Sequence, residues 1–177
     1  MILGLSVAAF TKLHTIISLI GIATGLVFLI ALLKGRWLSG WNLWFLVFTI
    51  LTSVTGFPFL LVRPTIGPPH IVGMISLVDL AIALLALYQF KRAGVWRPIY
   101  TITAVFALYL NCFVLVVQAF QKIPFLHVFA PTGTEPPFAI VQGLVLIAFI
   151  VAGIVAVRRP VATSEEVIES CTSSISS

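Results

Sequence analysis

"PPHIVGMISLVDLAIALLALYQFKR", residues 68–92, holds an apolar run of 20 residues from Ile71 to Phe90, broken near its middle by one acid, Asp79. A helix needs roughly 20 apolar residues to cross a hydrocarbon core. The run therefore predicts a membrane span, and Asp79 becomes a carboxyl group placed in lipid with no base beside it in the chain. Four further runs of this kind flank it, giving expected spans over 10–33, 41–62, 71–90, 98–121 and 138–157. Backbone groups in lipid must be satisfied within the segment, and the ten-residue alternation of a barrel strand is absent, so the fold class is an all-α membrane protein, a bundle of five transmembrane helices.

Composition agrees with that reading. Hydrophobic residues make up 60% of the chain and charged residues 8%, with a mean hydropathy of +1.19. A water-soluble domain would have too little polar surface to cover itself. The net charge of +5 does not point to nucleic acid, because the basic residues sit at the ends of the apolar runs, where they meet water and headgroups. The partner implied is the lipid bilayer. Cys112 and Cys171 lie in regions not expected to meet, and neither a disulfide framework nor zinc spacing is present. The first run follows no basic n-region and is too long for a signal h-region, so it is expected to remain as a span.

Lysine and arginine set the expected orientation. Lys34, Arg36, Lys91, Arg92, Arg97, Arg158 and Arg159 fall on one side and Lys12, Arg63 and Lys122 on the other, seven against three. The richer side is expected in the cytoplasm, with the N-terminus outside and the C-terminus cytoplasmic. Trp37, Trp41, Trp44 and Trp96 then lie at cytoplasmic boundaries as interfacial anchors. Residues 1–160 form the bundle, and 161–177, "VATSEEVIESCTSSISS", are expected to be a flexible cytoplasmic tail.

This topology gathers the polar residues outward, into a site opening between spans one, three and four. His14 and His70 are at the outer ends of spans one and three, as are Gln118, Gln121, Gln142, His127 and Glu135 near the outer mouth. Asp79 lies about 12 Å and Asn111 about 15 Å below the outer surface at 1.5 Å per residue, so the two are expected to meet as an intramembrane polar pair. Each belongs to a small-residue face: Ser76, Ala83 and Ala86 beside Asp79, and Tyr100, Ala104 and Ala107 beside Asn111. A carboxylate at a helix centre opposes insertion by roughly 2.5–3.5 kcal/mol, which makes an intramembrane acid a candidate functional group. Neutral imidazoles at similar depth suit haem b or a transition metal, and His14 shares a face with Ser18, Gly21 and Gly25, where a flat cofactor has room to approach. The connections "FPFLLVRPTIGPPH" and "KIPFLHVFAPTGTEPPF" hold seven of the ten prolines, and the second is apolar enough to lie on the membrane or to cap the bundle mouth.

No nucleophile elbow, phosphate loop, HExxH, CxxC or paired-carboxylate motif is present, so membrane proteases, ATP-driven pumps and thiol oxidoreductases have no support, a non-enzymatic protein is expected and no catalytic residue is assigned. By "FTKLHTIISLIGIATGLV", "TSVTGFPF", "PPHIVGMISL", "WRPIYTITAVFALYLNCFVLVVQAFQKIP" and "APTGTEPPF", the chain resembles a family of small uncharacterised proteobacterial integral inner-membrane proteins over about residues 8 to 160. The resemblance implies a bacterial inner (plasma) membrane and no assigned activity. A fainter similarity, through one His-bearing early helix and one later, is to small haem-handling and oxidase-assembly membrane proteins. The expected function is a multi-pass protein whose outward polar site binds a small ligand, metal or haem. The alternatives are a proton- or cation-coupled permease using Asp79 and Asn111, and a structural accessory subunit. An odd number of spans leaves room for a homodimer or a larger membrane complex.

Overall fold

The computed structural model describes residues 4–61 and 67–159. Arg63, Cys171 and the tail expected over 161–177 lie outside these residues. Among the described residues the chain is helical, in the order α1 (Val7–Leu33), α2 (Ser39–Gly56), α3 (Pro68–Leu84), α4 (Trp96–Lys122), the short α5 (Pro124–His127) and α6 (Pro136–Arg158). A 3₁₀ turn, Phe57–Leu61, extends α2, and a π-helical turn, Leu85–Gln89, extends α3. With these extensions, five helices are long and apolar enough to cross a membrane.

Local chemistry explains where the helices start and stop. Ser6 caps α1 by accepting the Ala9 N–H at 3.2 Å. Prolines open α3, α5 and α6, where a missing N–H costs nothing. Pro124 also ends α4, because the residue before a proline avoids helical backbone, and Ile123 is extended at φ −90°, ψ 114°. Gly35 closes α1 in the left-handed region at φ 69°, which lets the Arg36 N–H return to Ala31 O at 2.8 Å. Lys91 and Arg92 take the same region without being glycine, at φ 48° and 57°. Their turn is held by the Arg92 N–H on Ala86 O at 2.9 Å and by the Arg92 guanidinium 3.4 Å above the Trp37 ring. Partial burial withdraws water from that guanidinium and is the main cause that lowers its pKa from the ordinary arginine value, with the charge of Arg97 acting in the same direction and Tyr100 opposing it.

Packing follows small residues. α1 lies along α2, with Gly21 against the Phe48 and Thr49 backbone and Gly25 against Phe45 and Leu108. α3 lies along α4: Ser76, Asp79, Leu80, Ala83 and Ala86 form one buried stripe, and Tyr100, Ala104, Ala107, Leu108 and Asn111 another. Helices in lipid gain no hydrophobic free energy from each other, so close approach and interhelical hydrogen bonds must supply the contact. Tyr100 donates to Asn42 Oδ1, tying α4 to α2. α6 packs on α4 and α1 at the periphery, and its Gln142 donates to Phe113 O at 3.1 Å. Large apolar side chains such as Ile16, Val78, Ile140 and Ile147 stay exposed around the perimeter. Water would not tolerate so continuous an apolar surface, and a bilayer would.

Candidate functional site

The two ends of the bundle differ. At the end carrying Trp37, Trp96 and Arg92, alanines and stacked aromatics close the helices on one another, with Phe90 and Trp96 parallel at 3.8 Å. At the end carrying His14, His70 and Lys122, the helices part around a cavity of about 580 Å³. That size is in the range of small-molecule sites, roughly 300–1,000 Å³. Its walls are α1 and α2 on one side and α3 and α4 on the other.

Of the residues singled out in the sequence, His14, His70, Asn111 and Gln118 line this cavity, and Lys122 joins them at its rim. Gln121, His127, Glu135 and Gln142 do not. Gln121 and His127 are exposed. Glu135 serves its own loop: its carboxylate accepts the Thr132 N–H at 2.9 Å, the Thr132 hydroxyl at 2.9 Å and the Thr134 N–H at 3.0 Å. Those donors, the Thr132 N–H first, hold its pKa well below the usual carboxylate range, at about 2. The proline-rich connection does not close the mouth through its apolar residues, since Phe125 and Val128 are 70% and 76% exposed.

The expected Asp79–Asn111 pair does not form. Asn111 Nδ2 instead donates to Thr49 Oγ1 on α2 at 3.2 Å, because the α2 hydroxyl stands in the α4 groove at that level. Asp79 is buried at 8% exposure, and its Oδ2 has no hydrogen-bond partner among the described residues. It lies outside the cavity lining, whereas Ser76, one turn away on the same helix, is part of it and accepts from Ser53 Oγ at 3.0 Å.

The two histidines differ in the nitrogen they leave over. His14 Nδ1 is 2.8 Å from Thr55 Oγ1, and that hydroxyl gives its only proton to Leu51 O at 2.6 Å. His14 therefore donates through Nδ1–H and keeps an Nε2 lone pair. His70 is the reverse: its Nδ1 accepts the Gly67 N–H at 3.2 Å, so the neutral ring carries its proton on Nε2. For a haem or metal pair, His14 is in the ligating tautomer and His70 is not, unless the Gly67 bond is given up. The glycine face beside His14 offers no berth for a flat cofactor, because Gly21 and Gly25 are occupied by Phe48, Phe45 and Leu108. Among the described residues no group of three His, Cys, Asp or Glu is close enough to hold a metal ion.

Sequence reasoning passed over α2 as a wall of the site. Thr52, Ser53 and Gly56 line the cavity from α2, and Thr11 and Thr15 join His14 and Ser18 from α1. The α1 set has a visible signal in the spacing 11, 14, 15 and 18, one face of a helix. The α2 set repeats it weakly at 49, 52, 53 and 56. No family model, curated protein or solved structure matches the chain.

Proposed function

We propose that this chain is a multi-pass integral membrane protein that binds a small polar ligand in the cavity between α1, α2, α3 and α4, opening to the extracytoplasmic side. The observation that carries the reading is the cavity itself, of about 580 Å³, with two histidines, two amides and a lysine on its walls. The seven-against-three distribution of Lys and Arg supports an N-terminus outside, which puts His14, His70 and Lys122 on the outer side. The sequence resemblance supports a bacterial inner membrane as its location. Ser18→Cys, in a chain carrying Cys112→Ala and Cys171→Ala, tests the reading in intact cells. A membrane-impermeant maleimide is expected to label position 18 from outside, and labelling from the cytosolic side alone refutes it.

A second reading rests on a separate observation. Asp79 Oδ2 is buried without a donor among the described residues, an arrangement that costs roughly 1–3 kcal/mol and that a purely structural helix would avoid. A proton- or cation-coupled permease uses such a carboxyl group as its coupling site. Solute accumulation in proteoliposomes that Asp79→Asn abolishes, with outward Ser18→Cys labelling unchanged, selects this reading. Accumulation that survives the substitution removes Asp79 from the mechanism.

A further inference from the structure

The polar groups of the cavity are sorted by hydrogen-bonding sense. On α1, the Thr11 hydroxyl donates to Val7 O, Thr15 to Thr11 O and Ser18 to His14 O, each at 2.8 Å. On α2, Thr52 donates to Phe48 O at 2.8 Å and Ser53 to Ser76 Oγ at 3.0 Å. A hydroxyl has one proton, so these five oxygens have only lone pairs left for the cavity. His14, with its proton on Nδ1 toward Thr55, adds the Nε2 lone pair. The α1–α2 wall is therefore a wall of acceptors.

The opposite wall has the complementary character. His70 keeps an Nε2–H because Gly67 occupies its Nδ1. Ser76 accepts from Ser53 and retains its own proton. From α4 the Lys122 ammonium is a donor only, and the Gln118 amide brings both an NH2 and an Oε1 to the same space. Asn111 is of mixed sense: it has one N–H committed to Thr49 and keeps a second N–H and Oδ1. Among the described residues lining the cavity, Lys122 is the one with a formal charge, and no carboxylate faces it there.

We infer that the ligand is a small molecule that unites an anionic group, carboxylate or phosphate, with N–H or O–H donors a few bonds away. The anion sits against Lys122, Gln118 and His70, and the donors against the hydroxyl oxygens and His14 of the α1–α2 wall. A ligand with acceptors alone leaves the α1–α2 wall unanswered, and one with donors alone leaves the Lys122 wall unanswered. This inference rests on the ligand-binding reading above and names the class of ligand. Two sources share the chemistry, a soluble amino or hydroxy acid and the headgroup of an amine-bearing phospholipid.

The test uses the full chain in nanodiscs of phosphatidylcholine, whose headgroup has no N–H. Protection of a Leu115→Cys reporter, an apolar position of the cavity lining, in the Cys112→Ala, Cys171→Ala background is measured against maleimide with O-phosphoethanolamine, ethyl phosphate and ethanolamine. O-phosphoethanolamine is expected to protect at concentrations about tenfold or more below either fragment, the factor that one charge-assisted hydrogen bond supplies. Lys122→Met is expected to erase its advantage over ethanolamine, and Thr15→Val its advantage over ethyl phosphate. Both residues are exposed, so neither change threatens the fold. Protection in discs containing phosphatidylethanolamine, with none from the soluble compounds, assigns the lipid headgroup as the source. Ethyl phosphate or ethanolamine protecting as well as O-phosphoethanolamine overturns the ligand class and leaves the binding site standing. A reporter that labels readily and is protected by no soluble probe and by no amine-bearing lipid overturns the class and the ligand-binding reading together.

Discussion

Gly25 stands where α1 meets α2 and α4, and replacing it with alanine measures how tightly the floor beneath the cavity is packed. A Cβ there would lie 2.6 Å from Leu108 Cδ1 and 2.7 and 2.9 Å from Phe45 Cδ2 and Cε2. Carbon atoms in favourable contact sit roughly 3.5–4.0 Å apart. Leu108 and Phe45 are each 1% exposed, so a Cβ at position 25 obliges these packed side chains to shift or the helices to separate. Overfilling of this kind costs roughly 1–3 kcal/mol. Gly143, in α6, is the control, because a Cβ there meets nothing within 4 Å. Alanine also favours helix over glycine by about 1 kcal/mol, and that gain is common to both positions and cancels between them. Gly25→Ala is thus expected to be the less stable of the two by roughly 1–3 kcal/mol, or about 2–12 °C at ~2–4 °C per kcal/mol. Thermal unfolding of both variants in one detergent, followed by tryptophan fluorescence, measures the difference. A Gly25→Ala protein melting at or above Gly143→Ala would mean that α1 does not seat on Phe45 and Leu108, and the floor of the cavity would be lost with that contact.

Asp79→Leu keeps the branched shape of the side chain and removes the orphaned Oδ2, so it is expected to raise stability by roughly 1–3 kcal/mol in the same melt; a loss would reveal a polar partner for the carboxyl group. Tyr100→Phe leaves Asn42 Oδ1 buried without its donor and is expected to cost roughly 1–3 kcal/mol, much of it recovered when Asn42→Leu is added. A neutral Tyr100→Phe refutes the bond between α2 and α4. Glu135 is held at about 2 against an ordinary carboxylate value, so its support of the Thr132–Thr134 loop is complete above that ordinary value and disappears as the pH falls to about 2. The amide resonances of Thr132 and Thr134 are expected to titrate together with a midpoint of about 2, and a midpoint at the usual glutamate position excludes the bonds.

The five long helices were legible because hydropathy over 20 residues is a sum, and no single residue decides it. The small-residue stripes on α3 and α4 were legible for a related reason: a period of 3.6 places Ser76, Asp79, Ala83 and Ala86 on one face whatever packs against it. What that face meets depends on the rotation of the neighbouring helix, which one sequence does not encode locally. Asn111 therefore found Thr49 in place of Asp79. The same gap hid α2 from the site, since Thr52 and Ser53 look like ordinary small polar residues of an apolar helix until α3 is set beside them. The glycines at 21 and 25 were visible as a flat face, and only packing shows that α2 occupies it.

The cavity also bears on what fills it. Its lining is partly polar and includes the exposed Thr15 and Lys122, so it is open to water and not a dry void, and the walls select what replaces that water. An acyl chain has no donor for the oxygens of Thr11, Thr15 and Ser18 and no acceptor for Lys122, so each contact would strand a polar group at roughly 1–3 kcal/mol if water were excluded. Water answers both walls, and a solute that displaces it must answer both as well. Closure by alanine at the tryptophan end and separation at the histidine end are then two parts of one arrangement: the tight half supplies the helix contact that the open half gives up around the cavity.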